Sequence, residues 1–207
     1  MNIIIPLNIK EVDVYKGPSS VLFGNYANGG AISFETRKGG DYQDYSLTGG
    51  SYNTVDFQMA RGNTIQLNNE KELRTNIAAQ IHSSDGFIEN SEYLKGNFSG
   101  RLGYDLTDKT DIALSLVGHS SQWNAPGFIT AEELADKTRR NKQSANAQDD
   151  GGNKTFASER IDVNHTINED LRLLVFGYSL QNDFTRFSRF DAGPVDLGQN
   201  EDRNIQV

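Results

Sequence analysis

Residues 97–119 read Asn-Phe-Ser-Gly-Arg-Leu-Gly-Tyr-Asp-Leu-Thr-Asp-Lys-Thr-Asp-Ile-Ala-Leu-Ser-Leu-Val-Gly-His, and their dominant period is two. Phe98, Leu102, Tyr104 and Leu106 fall on one side of an extended chain, and Asn97, Ser99, Arg101 and Asp105 on the other. After the polar step Thr107-Asp108-Lys109 the pattern resumes, with Ile112, Leu114 and Leu116 opposed to Asp111, Ser115 and His119. Two alternating runs joined by a tight polar connection predict an antiparallel pair of strands.

The same period extends outward. Val55, Phe57 and Met59 oppose Asp56 and Gln58; Leu73, Ile77, Ala79 and Ile81 oppose Arg74, Asn76, Gln80 and His82. Downstream, Ile161, Val163 and Ile167 oppose Arg160, Asp162 and Asn164, whereas Leu173-Leu174-Val175-Phe176 marks a strand whose faces the pattern leaves unassigned. About seven strands are predicted, near 42–50, 54–64, 71–83, 94–105, 110–123, 156–167 and 171–186. Strands of globular proteins average about 5–6 residues, whereas a tilted strand crossing a bilayer needs about 9–11. These runs match the longer class. Connections near 65–70, 106–109 and 168–170 are short, and those near 84–93 and 124–155 are long. Outer-membrane barrels show this asymmetry, with short periplasmic turns and long external loops; the brief Ser51-Tyr52-Asn53 is the exception. Within the longest loop, Thr130 followed by Glu133 is a capping-box signature and predicts a short helix from Thr130 to about Asn141.

Composition narrows the class without choosing it. The 207 residues carry a net charge of -8, no cysteine and a mean hydropathy of -0.60. No run of about 18 apolar residues exists, which excludes a transmembrane helix; an alternating barrel strand gives only a weak hydropathy signal. Without cysteine there are no disulfides, zinc-thiolate sites or cysteine nucleophiles, and the acidic balance argues against a nucleic-acid partner. The opening Met1 to Pro6 has neither the length nor the basic start of a secretion signal, so an exported protein would carry its signal upstream.

Residues 9–38 carry the most specific signal. Val12 and Val14 alternate as strand residues, and Gly17-Pro18 ends that strand. Ser19 and Ser20 can cap a helical turn carrying Val21, Leu22 and Phe23. Gly24, Gly29 and Gly30 permit positive φ or close backbone approach before a closing strand from Ala31 to Thr36. The order of strand, Lys-Gly-Pro, Ser-rich turn, Leu-Phe-Gly, Gly-Gly and strand resembles the C-terminal part of the plug domain of TonB-dependent outer-membrane receptors. Asn124 to Thr130, followed by an Asp-Gly-rich loop, is similar to ferric-dicitrate-type members. A phosphate-cradle reading of Gly24 to Gly30 fails because the Gly-Lys-Ser/Thr ending is missing.

The resemblance implies an all-β chain: the end of a plug over 1–40, then about 7 of the family's 22 antiparallel strands over 41–207, a fragment of a transmembrane β-barrel. It implies a location in the outer membrane of a Gram-negative bacterium, among its lipids, and uptake of a ferric siderophore or similar metal chelate. The energising partner would be the TonB–ExbB–ExbD complex, engaged through an upstream plug segment. An unclosed barrel leaves two unpaired edges, so the isolated chain is expected to form no working pore. Two rival classes compete: a passive or adhesive barrel, which leaves 9–38 unexplained, and a soluble β-rich binding module, which the strand lengths disfavour.

Candidate site residues are few. Arg139, Arg140 and Lys142 in the longest loop can attract an anionic chelate, or serve as the basic surface turn of a helix. Trp123, with Pro126 and Phe128, marks a strand end where an aromatic ring either anchors at the membrane interface or stacks on a ligand. His82, His119 and His165 are isolated and predict polar wall residues, not metal ligands; Asp149 to Asn153 lacks the alternate-oxygen spacing of a calcium loop. No nucleophile–base pair or paired carboxylates recur at a catalytic spacing, so neither an enzyme nor a cofactor is expected.

Overall fold

The computed structural model describes residues 3–18, 27–67, 71–144, 147, 149–188 and 198–206. A 3-10 turn at Pro6–Asn8 leads into β1 (Ile9–Lys16), which pairs antiparallel with β2 (Gly30–Thr36). Eight strands then form one antiparallel sheet in sequential order: β3 (Tyr42–Gly50), β4 (Thr54–Gln66), β5 (Glu72–Ser84), β6 (Tyr93–Thr107), β7 (Thr110–Asn124), β8 (Gly151–Thr166), β9 (Arg172–Ser188) and β10 (Gly198–Gln206). A five-residue helix, α1 (Ala131–Ala135), sits between β7 and β8. No described helix is long and apolar enough to cross a membrane, which says nothing of crossing by strands.

The sheet is inside out relative to a water-soluble one. On one face Leu47 is 75% exposed, Ile81 59% and Ile77 48%; on the other Asn76 is 1%, Gln80 4%, Asn97 5% and His119 3% exposed. Among the described residues, the buried apolar side chains are five alanines and Ile5, with no Leu, Val, Phe or Met. A soluble sheet turns its large apolar side chains inward. This one turns inward a hydrogen-bonded polar row.

That row crosses four strands. Gln58 and Gln80 donate to the two oxygens of Asp56, at 2.6 and 2.7 Å. Asn97 Nδ2 donates to Gln80 Oε1 (2.9 Å), His119 Nδ1 to Asn97 Oδ1 (2.6 Å), and Ser121 Oγ meets His119 Nε2 at 3.0 Å. Nearer the short turns, Arg74 forks onto Asp105 with bonds of 3.0 and 2.6 Å. Buried polar groups are tolerated only when so paired.

The exposed apolar band runs diagonally to the register. Following the pairing from Phe57 leads through Ile81, Gly96, Ser120 and Thr155 to Asp183. The band nevertheless centres on Phe57 in β4 and near Val175 in β9, eight residues from Asp183 by subtraction. Over five strand steps that is about 1.6 residues per strand; with a rise of ~3.3 Å and a spacing of ~4.8 Å, a level band requires strands tilted by roughly 45–50°. Membrane barrels tilt their strands by about 35–45°. Outside the diagonal the outer face carries polar side chains, Arg61 and Asn63 on β4 before Ile65 at the short-turn end, and Glu159, Gln181 and Asp183 on β8 and β9 towards the long connections.

The N-terminal segment packs on the polar face. Ile5 joins Ala60 and Ala78 in the one described apolar cluster, flanked by Leu7 and Tyr42. Leu7 N–H donates to Gln58 Oε1 (3.1 Å), and Asn76 Nδ2 donates to Asn8 Oδ1 (2.9 Å) and to the Tyr42 hydroxyl. The segment after β2 returns to the same strands, with Arg37 paired to Asp44 over the Tyr42 ring and Gly40 N–H donating to Thr64 Oγ1 (3.1 Å). Gly62 makes this possible, since a Cβ there would overlap the Tyr42 ring and the Gly40 carbonyl.

Several expectations are corrected. β10 was absent from the seven strands because its sequence, Gly-Gln-Asn-Glu-Asp-Arg-Asn-Ile-Gln, carries one apolar residue and hence no alternation; pairing with Leu180–Ser188 forms it. β8 begins at Gly151, not near 156, since two glycines and polar residues precede Phe156. The register assigns the ambiguous run of β9: Leu173 and Val175 join the apolar face, while Leu174 and Phe176 lie opposite Asn164 and Asp162 on the polar one. The helix expected to Asn141 stops at Ala135, although its capping box forms in full. In the motif, Gly17 (φ 91°) and Gly30 (φ 139°) use positive φ, but Gly29 uses neither positive φ nor close approach. Pro18 follows the end of β1; the predicted helical turn from Ser19 and Gly24 lie outside the described residues.

Gly62→Ala should loosen the segment between β2 and β3 by about 1–3 kcal/mol of overpacking. Tryptic cleavage after Arg37 and Lys38 is expected to accelerate, while Gly177→Ala, where nothing lies within 4 Å, leaves it unchanged. Equal cleavage in both variants would contradict this packing.

Candidate functional site

The long connections and strand ends at one edge enclose a cavity of about 690 Å³. Its walls include Tyr93, Trp123 and Phe187, with Asp85, Glu92, Asp149 and Asp150 around them and no described Lys or Arg. Trp123 stands opposite Tyr93 and Gly152 in the register and packs on Phe184, ring centroids 5.6 Å apart. All four residues lie on the polar face. Trp123 therefore lines the cavity, and an interfacial anchor would instead share the apolar face. Gly152 supplies the room, because a Cβ there would overlap the indole and the Thr185 carbonyl.

Loop-to-loop bonds shape this mouth. Asn90, at φ 60°, donates to the carbonyls of Ala125 (3.0 Å) and Ala147 (2.7 Å), tying the 85–92 connection to the long one. Asn124 Nδ2 donates to Glu92 (3.0 Å), and Asn53 Nδ2 to Asp85 (2.6 Å). The last bond belongs to the β3–β4 turn, where Tyr52 and Asn53 both have positive φ (59° and 52°). For a tyrosine that conformation costs roughly 1–3 kcal/mol. It is held by Asp85 N–H donating to Tyr52 O (2.9 Å) and by edge-on packing on Phe87. The one short connection at this end is thus braced by its longer neighbour.

The predicted basic residues lie elsewhere. Arg139 donates to Glu133 (2.9 Å), Arg140 to the Leu134 carbonyl (3.2 Å), and Lys142 pairs with Glu89. Arg139 and Lys142 line a separate hollow with Glu89 and Asp136, so the structure does not bring them to Trp123. Phe128 is fully exposed and Pro126 only half-buried. Each histidine bonds a wall residue: His82 to Asp56, His119 to Asn97 and Ser121, His165 to Thr110. Among the described residues no three His, Asp or Glu side chains converge to hold a metal ion. The Glu133 carboxyl lies below the ordinary glutamate range, chiefly because the Thr130 N–H donates to it, with Arg139 assisting.

A second cavity, about 460 Å³, opens on the polar face towards the short turns and is lined by Lys38, Arg101, Arg160, Asp162 and Arg172. Sequence reading missed it because its cations come from four separate segments. Tyr93, Asp85 and Glu92 were missed at the mouth for the same reason; the one available signal was the Gly151-Gly152 pair that faces Trp123 across the ladder.

No protein-family model and no curated protein matches this chain. Among solved structures it is similar to the siderophore receptor PiuA from Acinetobacter baumannii, with 15% identity and a TM-score of 0.66. The match covers 87% of this chain and 27% of the receptor, so the chain spans about a quarter of that length. At this identity the likeness is one of fold: an all-β, antiparallel architecture matching part of a β-barrel receptor.

Two outcomes follow. Gly152→Val should displace the sole tryptophan and red-shift its emission without loss of strand content; an unchanged spectrum would remove Trp123 from the cavity wall. Because the Glu133 carboxyl is lowered, its cap is fully formed above the ordinary glutamate range and is lost as pH falls through the folded value. The Thr130 amide resonance is expected to track that titration and to lose it in Glu133→Gln.

Proposed function

We propose that this chain is wall and adjoining plug hairpin of an outer-membrane receptor, which binds a ferric siderophore or similar metal chelate and imports it with energy from TonB. The carrying observation is the inverted sheet: a diagonal apolar band outside, a paired polar row inside. Lipid suits the first, and a water-filled or plugged interior suits the second. The fold likeness to a siderophore receptor and the 9–38 motif support the same reading.

The segment before β1 and that after β2 both pack on the polar face, which favours a receptor with an internal plug over a passive or adhesive barrel. In this reading β1 and β2 are the end of the plug, the long connections face outward, and the Trp123 cavity is part of the external mouth. Transport, not catalysis, is the activity. The TonB–ExbB–ExbD complex is the energising partner.

Two measurements test it. Leu114→Arg, at the centre of the band on β7, should destabilise the folded form in lipid by about 2–4 kcal/mol. At an exposed position facing water the same change would stay within about 0.5 kcal/mol, and that result would remove the membrane reading. Uptake of one labelled ferric chelate should disappear when the gene for this protein is deleted and equally when TonB is deleted. Uptake that survives loss of TonB would leave a passive barrel.

A further inference from the structure

We infer that the cavity lined by Lys38, Arg101, Arg160 and Arg172 is a binding site for a small carboxylate- or phosphate-bearing anion. From the proposed function it takes only that the polar face lines an aqueous interior.

The four cations arrive from the segment after β2 and from β6, β8 and β9, so they are not a local run of solvated charge. Against them the lining offers one carboxylate, Asp162, a net of +3 by count. Asp162 forms the floor, its side chain 11% exposed, and is shared by Arg160 (2.7 Å) and Arg101 (3.8 Å). Arg101 also donates to Ser115 Oγ (2.9 Å). The Arg160 guanidinium carbon lies over the Phe176 ring, 4.2 Å from its centroid, and Nε and Nη2 both donate to one Asp162 oxygen, which leaves the other N–H groups for a second acceptor.

At the rim, Arg172 lies 3.9 Å from Asp111, and its side chain is 65% exposed. Lys38 pairs with Glu35 at 3.0 Å and is 62% exposed. Fixed guanidinium forks with spare donors are suited to planar or tetrahedral oxyanions. No described lysine or arginine lines the mouth cavity, so anion affinity would be particular to this end of the polar face.

The test is calorimetric titration of the full chain, folded in detergent micelles at low ionic strength, with citrate, ferric citrate and inorganic phosphate. One equivalent of citrate should bind, more weakly as salt rises, and Arg172→Gln and Arg160→Gln should each weaken binding by about tenfold. Arg140→Gln, in the loop, should leave it unchanged. Equal affinity for citrate and ferric citrate identifies a free-anion site; preference for the iron complex identifies a station for a transported chelate.

Arg160→Gln leaves Asp162 with Arg101 alone, so if it fails to fold the exposed Arg172→Gln decides. Should the chain not fold in micelles, labelled citrate binding to outer membranes from producing cells is compared for the same variants. No binding by the natural sequence, or binding indifferent to Arg172→Gln, overturns the site. Citrate binding that persists when TonB-dependent uptake fails overturns the transport reading alone.

Discussion

Alternation along each strand constrains everything else, because successive side chains must enter opposite media while every backbone group in the ladder stays paired. In most sheets the medium on the apolar side is the protein's own core. Here Leu47, Ile77, Ile81 and Phe98 face outward with nothing over them, and the covered side is polar. Asp56, Gln80, Asn97, His119 and Ser121 satisfy one another across β4 to β7, and Arg74 and Asp105 do so nearer the short turns. Such an arrangement loses its logic in water and gains it in lipid, where the apolar exterior is solvated and the polar interior is the only place for hydrogen-bonding side chains.

The tilt of the strands follows from the same constraint. A band that must stay level while the strands lean will cross the register, and the drift from Phe57 to Val175 records that lean in the choice of side chains. It also explains charges that look misplaced on the outer face. Arg61 and Glu159 share one register row, yet they fall on opposite sides of the diagonal and so outside the apolar band. On the inner face, Gly62 and Asn76 accept the chain that enters β1 and leaves β2, and that return brings Lys38 to the wall of the basic cavity.

Much of this was legible in the residues. Alternation located β3 to β7 to within a few residues, a continuous apolar run located β9, and the Thr130–Glu133 pair located the helix start. What failed did so for physical reasons. β10 has no apolar face of its own and exists because β9 offers an unpaired ladder. Leu173 to Phe176 shows no alternation since its inner residues are also apolar, Phe176 serving as a platform for Arg160. Trp123 has the composition of an interfacial anchor, and only the register assigns it to the polar face. The basic cavity was invisible because Lys38, Arg101, Arg160 and Arg172 are far apart in sequence and near only after folding.

The most direct measurement uses the absence of cysteine, which lets single cysteines be placed at will and spin-labelled in reconstituted bilayers. Labels along β6 should alternate, with lipid-borne oxygen reaching 98 and 102 and a water-borne relaxer reaching 97 and 101. The deepest label should sit at 57 on β4 and near 175 on β9, tracing the diagonal. Uniform access by the water-borne relaxer, or a deepest position that follows one register row from 57 to 183, would contradict the account.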